Sequence, residues 1–151
     1  MKKDFDLLSL GEILLRLSPP DNERIVRGET FQKQVGGAEL NVVSGAALLG
    51  LRTGIISKLP DNSLGIYAKN RVRFCGVSDD YLVYDKEEDA RLGIYFYENG
   101  AYPRKPSVVY DRRHASFCKS MKQKFRIPCM QIQSVSIQAE LLWHFLKIQE
   151  K

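Results

Sequence analysis

The segment VGGAELNVVSGAALLGL, residues 35–51, constrains this chain more than any other. Its adjacent glycines, Gly36 and Gly37, can take left-handed backbone angles and leave the main chain open to close approach. A polar pair, Glu39 and Asn41, comes next. An apolar run follows in which Leu40, Val43, Ala47 and Leu48 recur at helical spacing and are expected on one buried face. Gly50 stands where a helix C-terminal glycine belongs. The segment therefore reads as a backbone-exposed turn feeding a buried helix. The N–H groups at the mouth of such a helix suit a hydroxyl-rich or anionic ligand. A glycine turn before an ordinary core helix has the same spacing, so these residues alone leave both readings open.

The flanking chain gives this helix its setting. Residues 5–11 (FDLLSLG) read as a short buried strand, and 13–17 as an extended continuation beyond Glu12. Pro19-Pro20-Asp21-Asn22 marks a turn. Residues 24–34 are polar with scattered Ile25, Val26 and Phe31, the pattern of a hairpin exposed on one face. Residues 53–59 (TGIISKL) form a second apolar strand. Strand, helix and strand in that order imply a right-handed βαβ unit with parallel strands. A second helix starts within 61–65, capped by Asp61, Asn62 or Ser63. Leu64, Tyr67, Ala68, Val72 and Cys75 recur along it, and Gly76 closes it. Residues 81–84 give a third strand and 86–89 a charged turn. Residues 91–98 are strongly β, with Leu92, Ile94 and Phe96 on one face and Gly93, Tyr95 and Tyr97 on the other. Asn99-Gly100 is a turn signal, and residues 107–112 are the next extended run.

Composition narrows the function classes. A chain of 151 residues with 44% hydrophobic and 27% charged content is long enough for one domain with a real core. No apolar run approaches membrane-spanning length. Asp4 and Asp6 break the N-terminal apolar stretch, so it is a poor secretion signal. Cys75, Cys118 and Cys129 lack metal-ligand spacing, and an odd count argues against a disulfide framework. A reducing cytoplasm is the simplest setting. His114 and His144 have no metal-ligand partner at useful spacing.

The net charge of +5 belongs to the tail: residues 112–151 hold eight Lys or Arg against two Asp or Glu, and residues 1–111 are near neutral. Those cations are spread out with only Phe117 and Phe125 among them. They read as a solvated segment rather than a nucleic-acid surface. Glycine usage breaks in the same region, since all eleven glycines lie at or before Gly100.

These residues carry a resemblance. LGE after the first strand, VGGAELNVV at the first helix, SKLPDNSLG, and the pair LGIYFYENG and VVYDRR together resemble the N-terminal half of a PfkB (ribokinase-like) carbohydrate kinase. Within that family the sequence is most similar to the 2-keto-3-deoxygluconate kinases, with fructokinases as the nearest alternative. The resemblance implies an α/β fold: the N-terminal part of a Rossmann-type parallel sheet with a small β lid over about residues 12–35 and 91–112.

It also implies a substrate site. Gly36, Gly37, Ala38, Glu39, Leu40 and Asn41 would line the sugar, with Asn41 and backbone groups bonding its hydroxyls. Tyr95 would lie over the sugar from the lid, and Tyr110, Asp111 and Arg112 would reach its carboxylate end. An arginine fork suits a carboxylate, and a phenol can donate while its ring packs. The implied partner is a small sugar or sugar acid, with no nucleic acid and no membrane, and a homodimer through the lid strands.

ATP and Mg²⁺ are the implied cofactors, but the residues for them are not in this sequence. Phosphoryl transfer needs electrostatic support for the moving group and a base near the attacking hydroxyl. The family takes both from a later Gly-Ala-Gly-Asp segment. Here no glycine follows Gly100 and no aspartate follows Asp111, so no catalytic residue is assigned.

The resemblance ends near residue 117. Residues 118–151 form an atypical basic tail, with residues 136–151 patterned as an amphipathic helix. A half-domain of this kind is expected to be inactive alone, and to self-associate through unpaired sheet edges. A frameshifted or fragmentary gene explains such a tail. DNA sequencing is then expected to find a kinase reading frame displaced by one or two nucleotides near the Cys118 codon; a clean stop with no kinase remnant downstream would refute it.

Overall fold

The computed structural model describes residues 5–122. They form two sheets and three helices in an α/β arrangement, as the strand–helix–strand order implies. The first sheet is parallel, in the order β1 (Leu7–Leu10), β4 (Thr53–Pro60), β5 (Leu82–Asp85). Leu8 faces Gly54 and Leu10 faces Ile56 in its register. Central β4 is buried along almost its whole length, as befits a parallel strand with neighbours on both sides. Helices α1 (Ala38–Leu48), α2 (Ser63–Phe74) and α3 (Ser116–Lys122) all contact it. Leu40, Val43, Ile55, Leu59, Ala68 and Val72 form the centre of the core.

The second sheet projects from the first as a lid. Its order is β3 (Gln32–Gly36), β2 (Leu14–Ser18), β6 (Gly93–Glu98), β7 (Ser107–Asp111). The β2–β6 pair is parallel and the other two are antiparallel. One lid face is apolar: Leu15, Leu17, Val35 and Ile94 pack with the core. On β3 the Lys33 carbonyl accepts the Tyr67 hydroxyl of α2 at 3.0 Å.

Helix ends follow the expected chemistry. The Asn62 side chain caps α2, accepting from the N–H groups of Leu64 and Gly65. Gly50 and Gly76 take positive φ (88° and 75°) just beyond α1 and α2. Three expectations need correction. Leu48 is 84% exposed rather than buried. At 3.6 residues per turn it stands about 100° from the centre of the Leu40–Val43–Ala47 stripe. Residues 24–31 do not form a hairpin arm. Arg27 and Gly28 bond back to the Arg24 carbonyl, and the Ile25 N–H donates to Glu98 Oε2 at 2.9 Å. These three N–H groups find partners without a strand ladder. Finally, the glycine turn is a single residue, because Gly36 is the last residue of β3 and only Gly37 stands between strand and helix.

The expected helix over 136–151 lies outside the described residues. Helix α3 runs across residues 117 and 118, with Ala115 and Phe117 buried. Among the described residues no helix is long and apolar enough to cross a membrane.

Two helical glycines make a matched stability test. A Cβ on Gly65 would overlap the Pro60 carbonyl oxygen, whereas one on Gly45 meets nothing within 4 Å. Gly65→Ala is expected to lower unfolding stability by about 2 kcal/mol or more, and Gly45→Ala to raise it by about 0.5–1 kcal/mol. Urea midpoints measure both; equal shifts would contradict the packing around Pro60.

Candidate functional site

Lid and parallel sheet are joined by four stretches of chain, and three of them close around Glu12, which lies on the fourth. Glu12 is 5% exposed, at the bend between β1 and β2. Its carbonyl oxygen lies 2.5 Å from where a Cβ on Gly37 would stand. Its Oε1 lies 2.5 Å from the corresponding point on Gly93. Its Oε2 accepts from Arg112, from Nε at 2.8 Å and also from Nη2. Two side-chain-free positions thus make the room that the carboxylate occupies. Oε1 is buried without a hydrogen-bond partner among the described residues.

Burial pushes the Glu12 carboxyl up. The charge and hydrogen bonds of Arg112 pull it down, the negative charge of Glu39 adds to the rise, and the net direction is upward. With Glu12 enclosed, removing Arg112 would leave it as a costly lone charge.

Strand register places the other candidates. Gln34 faces Arg16, Arg16 faces Tyr95, and Tyr95 faces Tyr110, making one row across all four lid strands. Directly opposed residues share a face, and so do residues two apart. Gly36, Leu14 and Gly93 therefore form the next row toward Glu12, and Arg112, two residues beyond Tyr110, joins that side. The Tyr95 hydroxyl lies 2.6 Å from where a Gly36 Cβ would stand. The Tyr95 and Tyr110 rings are 5.8 Å apart, and the Arg112 guanidinium is 5.7 Å from the Tyr110 ring. Burial, partly offset by Arg16, pushes the Tyr95 phenol up, so it stays protonated as a donor. Tyr110 is 61% exposed and presents its ring to solvent.

Gly36, Tyr95, Tyr110 and Arg112 therefore come together on one lid face, with Gly37 at its base. Asp111 does not join them. It shares the opposite face with Ile94 and pairs with Arg91 at 2.6 Å. Leu40 points into the core. Ala38 and Asn41 are exposed on the first turn of α1, and Glu39 is half-buried where a Gly11 Cβ would stand. No side chain caps this helix, whose N-cap is Gly37 at φ 147°.

Glu12, Arg16 and Gln34 were not on the sequence-derived list. Arg16 is half-buried, donates from Nε to Ser18 Oγ at 3.0 Å and stacks 4.3 Å from the Tyr97 ring centre. The alternation of Leu14, Arg16 and Ser18 along β2 was the available signal.

A hollow of about 240 Å³ lies elsewhere, beside the start of α2 and the end of β5. Asp61, Asp85, Glu87 and Glu88 line it, and no residue of the lid face does. Lys86 lines it too, and Asp85 is paired with Lys58. Among the described residues no three His, Cys, Asp or Glu are grouped to hold a metal ion.

The described residues thus form a parallel α/β sheet carrying a lid with phenols and an arginine on one face. The family model described as pfkB family carbohydrate kinase matches residues 4–141, past the boundary that the sequence suggests at 117. The chain belongs to that family.

The 2-dehydro-3-deoxygalactonokinase of Haloferax volcanii is 40% identical over 111 residues, covering 74% of this chain and 34% of that protein. The crystal structure of 2-dehydro-3-deoxygluconokinase from Thermotoga maritima superposes with a TM-score of 0.70 at 44% identity, covering 74% of this chain and 33% of that one. An uncharacterized sugar kinase from Pyrococcus horikoshii, solved in complex with ATP, gives 0.65 at 26% identity, covering 74% and 35%. The chain thus spans about one third of the length of these relatives.

The contact between Gly36 and Tyr95 can be tested directly. Gly36→Ala is expected to lower stability by about 1–3 kcal/mol, and Tyr95→Phe in the same chain to recover about 1 kcal/mol of that by removing the opposing oxygen. Strictly additive changes in a double-mutant cycle would refute the contact.

Proposed function

We propose that this chain supplies the sugar-acid-binding part of a pfkB-type kinase, with 2-keto-3-deoxygluconate as the acid. One observation carries the reading: Arg112, Tyr110, Tyr95 and Gly36 share one lid face. A sugar acid needs a cation for its carboxylate and donors for its ketone and hydroxyls. The guanidinium and the two phenols are groups of those kinds. The names of the Haloferax and Thermotoga relatives support the substrate class, since both describe kinases of 2-dehydro-3-deoxy sugar acids. A neutral sugar, as in a fructokinase, has no carboxylate for Arg112 to pair with.

Phosphoryl transfer is the activity of the whole kinase. ATP, its metal and the general base would be held by groups outside the described residues, because residues 101–151 contain no glycine and residues 112–151 no aspartate. On this reading the chain binds the acid and does not turn it over alone.

Isothermal titration of the 151-residue chain with 2-keto-3-deoxygluconate is expected to show binding. Loss of the charge-assisted bonds in Arg112→Ala should weaken it by about ten-fold to a hundred-fold. A coupled ADP-release assay should show no turnover. Binding that ignores the Arg112 change would refute the site, and clear turnover would refute the division of labour.

A further inference from the structure

We propose that Glu12 is a positioning residue for Arg112, aiming its guanidinium at the carboxylate of the ligand and so setting the preference for acids over neutral sugars. This deepens the sugar-acid reading and rests on it. Nothing about Glu12 suggests direct contact with ligand, because its carboxylate is enclosed. Both Nε and Nη2 of Arg112 converge on the single oxygen Oε2. Holding that edge fixes the plane of the guanidinium and therefore the direction of its Nη1 edge. The geometry of an arginine fork is what gives it selectivity for carboxylates, so a guanidinium turning freely would lose it.

Glu12 is itself held on two further sides. Its main chain abuts Gly37, its Oε1 abuts Gly93, and both contacts need the absence of a side chain. A carboxylate so fixed transmits its own placement to Arg112. It also lies where lid and parallel sheet join, so the aim of Arg112 is tied to the seating of the lid.

The titratable neighbours of Glu12 make the idea measurable. The charged groups facing it are Arg112, at the end of β7, and Glu39, on α1. Its carboxyl is raised above the ordinary 4.5. An α-keto acid remains ionised in that range, and so does Arg112. Lowering the pH through the raised value neutralises Glu12 and releases Arg112 while the ligand keeps its charge. Affinity for the acid should then fall.

Isothermal titration of the full chain with 2-keto-3-deoxygluconate and with D-fructose tests this. Glu12→Gln is expected to weaken acid binding about ten-fold, the worth of one oriented charge-assisted bond, and to leave fructose binding within about two-fold. Glu12→Asp should restore part of the loss. The acid affinity of the unaltered chain should fall from neutral pH toward 4.5, and Glu12→Gln should abolish that fall. Unchanged or tighter acid binding in folded Glu12→Gln overturns the positioning role and leaves the sugar-acid reading standing. Equal losses for acid and fructose also overturn it, since they mark a merely structural effect. An unaltered chain that binds the acid no better than fructose removes the reading and the proposal together. If Glu12→Gln does not fold, the pH profile of the unaltered chain decides, and a flat profile refutes the proposal.

Discussion

The ion pair between Glu12 and Arg112 has its carboxylate enclosed and its guanidinium partly open to solvent, and burial changes what such a pair is worth. On a surface it would contribute little. Here the enclosed carboxylate depends on the guanidinium, because alone it would be left in a poor dielectric. The pair also joins residues a hundred positions apart. One belongs to the bend leaving the parallel sheet, and the other to the strand leaving the lid. The lid is therefore anchored at its base by a contact that cannot be loosened on one side without penalty on the other. Gly37 and Gly93 give that carboxylate its place, so the anchor is partly built from missing side chains.

The polar face of the lid follows from strand geometry. Four strands in register align Gln34, Arg16, Tyr95 and Tyr110 in one row. The opposite face spends its side chains on the core, through Leu15, Leu17, Val35 and Ile94. A two-faced sheet of this kind separates the side chains that pack on the core from those, such as Tyr95 and Tyr110, that meet one another on the other face. Asp111 shows how strict the separation is. It neighbours both Tyr110 and Arg112 in sequence, yet it faces the other way and pairs with Arg91.

Much of this was legible in the residues themselves. Apolar runs at 5–11 and 53–59 around a helical stripe gave the βαβ unit, and the parallel pairing of β1 with β4 agrees. The alternation within 91–98 assigned Tyr95 and Ile94 to opposite faces correctly. Leu48 was misplaced because counting apolar residues is coarser than counting degrees around a helix. Residues 24–31 depart from the hairpin pattern where Arg27 and Gly28 turn back to the Arg24 carbonyl. Glu12 was seen only as a carboxylate at a strand end. Its partner lies at the far end of the described chain, and no local pattern announces a contact of that range. Arg16 was hidden for a related reason, since its neighbour Tyr95 belongs to a distant strand.

The parallel pairing of β2 with β6 has a consequence for assembly. These strands lie on either side of nearly the whole parallel unit in sequence, with α1, β4, α2 and β5 between them. Chain closure over such a span is entropically unfavourable until the intervening segment has collapsed. The hairpin of β2 and β3 can arise early from local contacts, but it then waits with an unpaired edge. The complete four-stranded face is therefore expected to close only after the parallel unit between β2 and β6 has collapsed.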